Sequence, residues 1–159
     1  GLTDAMDLST ILKPEAVKVV STASSKKRLF QQLGEAAESC YGLKCTHAIE
    51  ALQERETLGP TGVGHGIALP HARIDGLDKV VGVFFRLEQS LDFDSVDRQP
   101  VDLVFSLFAP SDSGVEHLKA LALVSRTMRD SAICSKLRAN HAPQTLYAIL
   151  TAGGASQAA

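Results

Sequence analysis

At 159 residues and 45% apolar content, the chain is long enough to bury one full core. Its 16 basic and 18 acidic residues, net −2, leave no electrostatic footprint for nucleic acid, and 5% aromatics with no Trp offer little surface for stacking bases. The longest apolar runs, near 80–85 and 103–110, fall far short of the roughly 20 residues that span a bilayer, so no membrane insertion is expected.

No charged n-region followed by an apolar h-region lies near Gly1, and Cys40, Cys45 and Cys134 are odd in number without CxxC spacing. Both features point to a cytoplasmic protein with reduced thiols. Val17 to Val20 is a short β-branched strand candidate. Ser24 or Ser25 then caps a helix whose apolar positions Leu29, Leu33, Ala36, Ala37 and Cys40 follow helical spacing up to Tyr41-Gly42. Thr46 is a plausible cap for a second helix through Ala48, Ile49 and Leu52, ending before Gly59-Pro60. A glycine-rich loop leads into a strand over Gly66 to Leu69, where Pro70 removes a ladder donor and is expected to end the strand with His71 at the sheet edge. Val80 to Leu87 and Val101 to Phe108 are nearly continuous apolar runs, as central strands covered on both faces require.

Ser113-x-x-Glu116 reads as a capping box opening a helix through Leu118, Leu121, Ala122, Ser125 and Met128. Shorter helices are expected at Ala132 to Arg138 and Gln144 to Leu150, and the Ala, Gly and Ser-rich tail 152–159 is expected to fray. With no repeat or linker, the chain reads as one domain over 1–159 with its core near 8–151. The order β-α-α-β-β-β-α-α-α implies an α/β fold, a small sheet sandwiched between two helical layers.

The chemistry concentrates in Thr61 to Arg73, TGVGHGIALPHAR. An imidazole at a strand end beside glycine-rich backbone amides suits phosphoryl transfer: the ring is nucleophilic near neutral pH, and Thr61, Gly62, Gly64, His65 and Gly66 form a candidate anion cradle. Of the five histidines, His141 reads as solvated, and His47, in a first helical turn where the macrodipole disfavours imidazolium, as a surface residue. His65 is placed near the site by its loop. His117, in the first turns of a helix and in line with Leu121, Val124 and Met128, reads equally well as a core-rim or a functional residue. Arg55, just before the loop, has a planar fork suited to a phosphoryl group, although an exposed helix arginine paired with Glu56 is the commoner situation. Gly59-x-x-x-x-Gly64 runs into His65-Gly66 instead of Lys and Ser or Thr, and it leaves a helix, so it fits neither a P-loop nor a Rossmann turn. A zinc site from His65, His71 and His117 is a minor alternative without carboxylate or thiolate support, and no metal or cofactor is expected.

GIALPHAR, preceded by Arg55-Glu56-x-x-Gly59-x-Thr61-Gly62 and followed by QPVDLVFSLFAP and EHLKALALVSR, resembles the enzyme IIA domain of the bacterial phosphotransferase system, mannitol/fructose type, and within it the nitrogen-regulatory branch. The resemblance covers about residues 8–151. It implies a three-layer α/β/α fold with a mixed sheet, a phosphohistidine at His71 Nε2 loaded by an HPr-like phosphocarrier, and supporting roles for His117 and Arg55. His65 departs from the family pattern, which often has a small polar residue such as Asn there. Because the phosphoryl group must also leave, an apolar rim, with Ile67, Leu69 and Leu121 as candidates, is expected to dock carriers. The resemblance further implies regulation of target proteins, potassium-transport or sensor proteins among them, by phosphorylation state. The alternatives are a sugar-specific component feeding a mannitol/fructose-type permease, and a non-catalytic interaction module on the same fold.

Overall fold

The computed structural model describes residues 6–21 and 23–158, with side chains as far as Ala152. Before the first strand comes a four-residue helix, α1 (Leu8–Ile11), which the sequence reading does not contain; Asp7 caps it through the Ser9 amide. Strand β1 (Leu12–Val20) is longer than the β-branched run suggests. Helix α2 (Lys26–Tyr41) starts as expected, with the Ser25 hydroxyl accepting from Arg28 N, and ends at Gly42.

Two expected caps are replaced. Helix α3 (Cys45–Thr57) has Lys44 at its cap position rather than Thr46, because Glu38 reaches from α2 and accepts from the Cys45 amide at 3.1 Å. Helix α4 (Val115–Met128) has Gly114 at its cap position; Ser113 is unavailable as a cap because its hydroxyl donates to Pro110 O at 2.9 Å. Helices α5 (Ser131–Arg138) and α6 (Pro143–Ala158) complete the chain, and the α6 backbone runs past Leu150 through the stretch expected to fray. Ala159 lies outside the described residues.

The strands form one six-stranded mixed sheet. Strand β5 (Val81–Leu91) pairs parallel to β1 and antiparallel to β6 (Val101–Pro110), which is the central element. The expected strand over Gly66 to Leu69 is instead three short pieces: β2 (Gly62–Gly64) and β3 (Ile67–Ala68) form a hairpin, and β4 (His71–Ile74) follows Pro70. Strands β3 and β4 both run parallel to β6 and lie end to end along it, Ile67 opposite Leu103 and His71 opposite Leu107. Pro70 therefore interrupts the ladder without ending it. It supplies no donor, but its carbonyl accepts from Leu107 N at 3.0 Å and pairing resumes at His71.

Helices α2 and α3 pack on each other, and α1 and α4–α6 make a second connected group, which gives the three-layer α/β/α arrangement. Burial on both faces explains the unbroken apolar composition of the central strands. Residues 103–109 of β6 are all buried, and Phe84, Phe85, Phe105 and Phe108 are closed from solvent, each stabilising the fold by roughly 1.5–3 kcal/mol. That rigid core carries His71 at the start of β4, between α3, which packs on β4, and α4, which packs on β6.

Candidate functional site

The alternation of β4 sends Ala72 and Ile74 into the core and leaves half-buried His71 and exposed Arg73 on the opposite side. His71 Nδ1 lies 2.7 Å from Leu69 O. A carbonyl can only accept, so Nδ1 carries the proton and Nε2 presents its lone pair. Leu69 can do this because it sits at the break between β3 and β4, where Pro70 displaces the chain from its ladder. Burial lowers the His71 pKa from its usual value, the Leu69 carbonyl raises it in part, and the Arg55 charge lowers it again. Burial thus favours the neutral ring that a nucleophile needs.

His117 is brought alongside. The two rings are edge to face, centroids 5.6 Å apart. With Gly114 as cap, His117 is the third residue of α4 and belongs to a buried stripe with Ala120, Val124, Thr127 and Met128; Leu121 is only half-buried and lies off it. Arg73 Nε donates to His117 Nδ1 at 3.3 Å, so Nδ1 is the acceptor nitrogen and Nε2 carries the proton. That Nε2 is buried and has no hydrogen-bond partner among the described residues. An orphaned buried donor costs about 1–3 kcal/mol, so this N–H is poised for an acceptor from outside. Burial, His71 and Arg73, in that order, lower the His117 pKa. One ring therefore offers a lone pair and its neighbour a proton.

Arg55, in the last turn of α3, donates through Nη1 to Gly59 O at 3.0 Å, and its charge reaches His71. The adjacent Glu56, which sequence reasoning treats only as a partner for Arg55, is instead tied to Thr61. It accepts from Thr61 N at 2.9 Å and Thr61 Oγ1 at 2.6 Å, and pairs with Lys26 at 2.7 Å. Thr61 O in turn accepts from Leu69 N at 2.9 Å. A relay of hydrogen bonds thus runs from Glu56 through Thr61 and Leu69 to the His71 ring.

The glycine-rich loop is organised differently from the expected cradle. The Thr61 amide is spent on Glu56, and the His65 amide on Asp97 Oδ2 at 2.9 Å. Gly62 and Gly66 meet protein neighbours: a Cβ on Gly62 would collide with Ser95 Oγ and come within 3.1 Å of Ser95 Cβ, and one on Gly66, at φ +80°, would lie 2.8 Å from Asp102 Oδ1. Thr61 reaches the His71 end of the loop through Leu69, and Gly62 pairs with Ala68. The offset from Leu103 to Leu107 on β6 separates Ile67 from His71 by about 13 Å, at ~3.3 Å per residue, and His65 lies beyond Ile67 at the hairpin turn. The three-histidine metal alternative therefore does not assemble, and among the described residues no group of three His, Cys, Asp or Glu side chains could hold a metal. Ile67 and Leu69, expected on a docking rim, are 4% and 5% exposed; exposed apolar side chains close in sequence to Arg55 and His117 are Leu58, at the end of α3, and Val115 and Leu118, in the first turns of α4.

The family model described as "Phosphoenolpyruvate-dependent sugar phosphotransferase system, EIIA 2" matches residues 10–153. The chain belongs to this family. A nitrogen regulatory protein of Bradyrhizobium diazoefficiens is 43% identical over 91% of this chain and 95% of its own length, and one of Escherichia coli is 39% identical over 92% and 90%. The structure of nitrogen regulatory protein IIA-Ntr from Neisseria meningitidis superimposes with a TM-score of 0.82 at 34% identity, covering 90% of this chain and 98% of that one. Mannitol IIA from E. coli shares the fold, with a TM-score of 0.71 at 21% identity over 85% and 96%. A fructose-specific EIIA component of Haloferax volcanii is 32% identical over 92% of this chain and 96% of its own. The protein is thus a IIA component of a phosphotransferase system with nitrogen-regulatory relatives, and among its described residues no helix is long and apolar enough to cross a membrane.

Proposed function

We propose that this IIA protein accepts a phosphoryl group on His71 Nε2 from an HPr-like phosphocarrier and regulates target proteins by its phosphorylation state. The observation that carries the reading is the pairing of complementary ring atoms: a bare Nε2 on His71, set by the Leu69 carbonyl, beside a protonated, unpartnered Nε2 on His117, set by Arg73.

In-line attack by the His71 lone pair on the donor's phosphohistidine forms the new N–P bond as the old one breaks. A loose transition state spreads charge over the equatorial oxygens, which rewards positioned donors and fixed charge. His117 Nε2–H donates to one oxygen, and Arg55 supplies positive potential without proton transfer. The His71 Nδ1–H bond to Leu69 stabilises the positive charge that develops on the ring. Leu58, Val115 and Leu118 are the exposed apolar contacts for a carrier, replacing the expected Ile67, Leu69 and Leu121. The regulatory reading is favoured over sugar transport by the nitrogen regulatory relatives, which match most of both lengths.

The test is incubation with phosphoenolpyruvate, enzyme I and the phosphocarrier, followed by intact mass. Wild type is expected to gain one phosphoryl group and His71→Ala none, with its unfolding transition intact. A phosphorylated His71→Ala protein would overturn the assignment, and a phosphopeptide containing His65 would redirect it.

A further inference from the structure

His65 is left without a part in the site, yet the structure holds it deliberately. It is a non-glycine residue at φ 58°, kept there by Asp97 on its amide and by Arg138 Nη2, which donates to its carbonyl at 2.8 Å. It stands at the mouth of a groove of about 580 Å³ between the β2–β3 hairpin and the α4–α5 corner. The volume falls in the range of small-molecule sites.

The chemistry of the lining is one-sided. The apolar part of the lining includes Ile67, Leu69 and Met128, which present only small areas of 5% exposure or less at its base, and the rest carries His65, Arg129, Arg138 and three serines, with no carboxylate in the lining. Asp102 binds Arg138 at Nε and Nη2, from outside the groove, and so offsets its charge, while among the described residues Nη1 makes no hydrogen bond. Arg129 is exposed, and among the described residues its side chain makes no ion pair or hydrogen bond. Within the lining the charge is positive, from Arg129 and Arg138, while Asp102 and Asp130 act from outside it; positive groups above an apolar floor match a ligand with a negative head and an apolar body.

Leu69 belongs to both sites. Leu69 is one of the residues lining the groove, and its carbonyl holds the His71 ring at 2.7 Å. We propose that this groove binds a small carboxylate with an apolar body, the head on Arg129 and Arg138 and the body on Ile67, Leu69 and Met128, and that Leu69 couples its occupancy to the His71 ring. The coupling rests on the reading of His71 as the phosphoryl acceptor; the binding does not.

The probe is octanoate, with octylammonium as the charge-reversed control, titrated into the full unphosphorylated chain while backbone amide and histidine-ring resonances are followed. Octanoate is expected to shift the amides of Leu69, Met128 and Cys134 saturably and to move the His71 ring signals. Arg129→Glu is expected to weaken it about tenfold or more, the size of one lost charge-assisted hydrogen bond. Equal effects from octylammonium, or unchanged affinity in Arg129→Glu, would overturn the anion site. Saturable binding with unmoved His71 ring signals would overturn the coupling. If the phosphocarrier shifts this same set while octanoate is silent, the groove is a protein-docking face and the proposal falls. None of these readouts depends on phosphorylation, so a failure of the His71 assignment would be seen separately in the mass experiment.

Discussion

Glu56→Ala removes the anchor of the relay behind His71, and its cost can be worked from the contacts. The carboxylate, 10% exposed, takes both the amide and the hydroxyl of Thr61, a residue itself only 4% exposed. Truncation orphans two buried donors at about 1–3 kcal/mol each. The partly exposed pair with Lys26 adds at most ~1 kcal/mol. Water entering the vacated space recovers part of this, which leaves an expected loss of about 2–4 kcal/mol. Glu56→Gln keeps one acceptor oxygen and is expected to lose roughly half as much. Urea unfolding reads the difference as a fall in midpoint at constant slope. The same variant is expected to slow phosphorylation, because Thr61 O no longer fixes the Leu69 amide and the carbonyl that orients His71 loses its register. A Glu56→Ala protein within ~0.5 kcal/mol of wild type, transferring at the wild-type rate, would refute the relay.

Arg55→Ala and His117→Ala are each expected to slow transfer by the equivalent of about 1–3 kcal/mol while His71 is still phosphorylated; rapid-quench rates check this, and two wild-type rates would return both residues to structural roles. Arg73→Leu is expected to release the His117 tautomer, so that the nitrogen shifts of its ring move toward a mixture while the fold stays intact, because Arg73 is exposed and its bond to Nδ1 is what selects the protonated Nε2. Burial lowers the pKa of both His71 and His117 below the usual 6.5. The unfolded chain then takes up protons first as the pH drops, so stability is expected to be flat above about pH 6.5 and to fall below it until the folded-state values are passed. Urea midpoints across pH should show this slope in wild type and a shallower one in His71→Gln.

Much of this architecture is legible in the residues. The unbroken apolar runs of β5 and β6 mark strands covered on both faces, and Ser25 and Gly42 bracket α2 in the sequence as in the structure. What escaped reading depends on competition between partners distant along the chain. Ser113 fits a cap by spacing, but Pro110 O takes its hydroxyl. Thr46 fits a cap too, but Glu38 from another helix reaches the α3 terminus first. The loop glycines look like an anion cradle, yet Gly62 and Gly66 are required by Ser95 and Asp102, which local pattern cannot reveal. Arg73 stands in the same motif as His71, and the two-residue alternation of a strand was the available signal that both face one way. Pro70 masks that signal, because its missing ladder donor reads as the end of the strand.

The proline break also decides which parts of the protein open together. Since β4 restarts on β6 at His71 and Leu107, the imidazole is carried by a strand paired directly to β6, whose residues 103–109 are all buried. Freeing it by local fluctuation would rupture amides such as Leu107, which belong to the slowest-exchanging class in a domain of this kind. Hydrogen–deuterium exchange at Leu107 should therefore track global unfolding, with and without a modification at His71. A signal written on so stiff a mount reaches a partner as a change of surface charge, roughly −1.5 to −2 for a phosphoryl group, and not as a segment that melts.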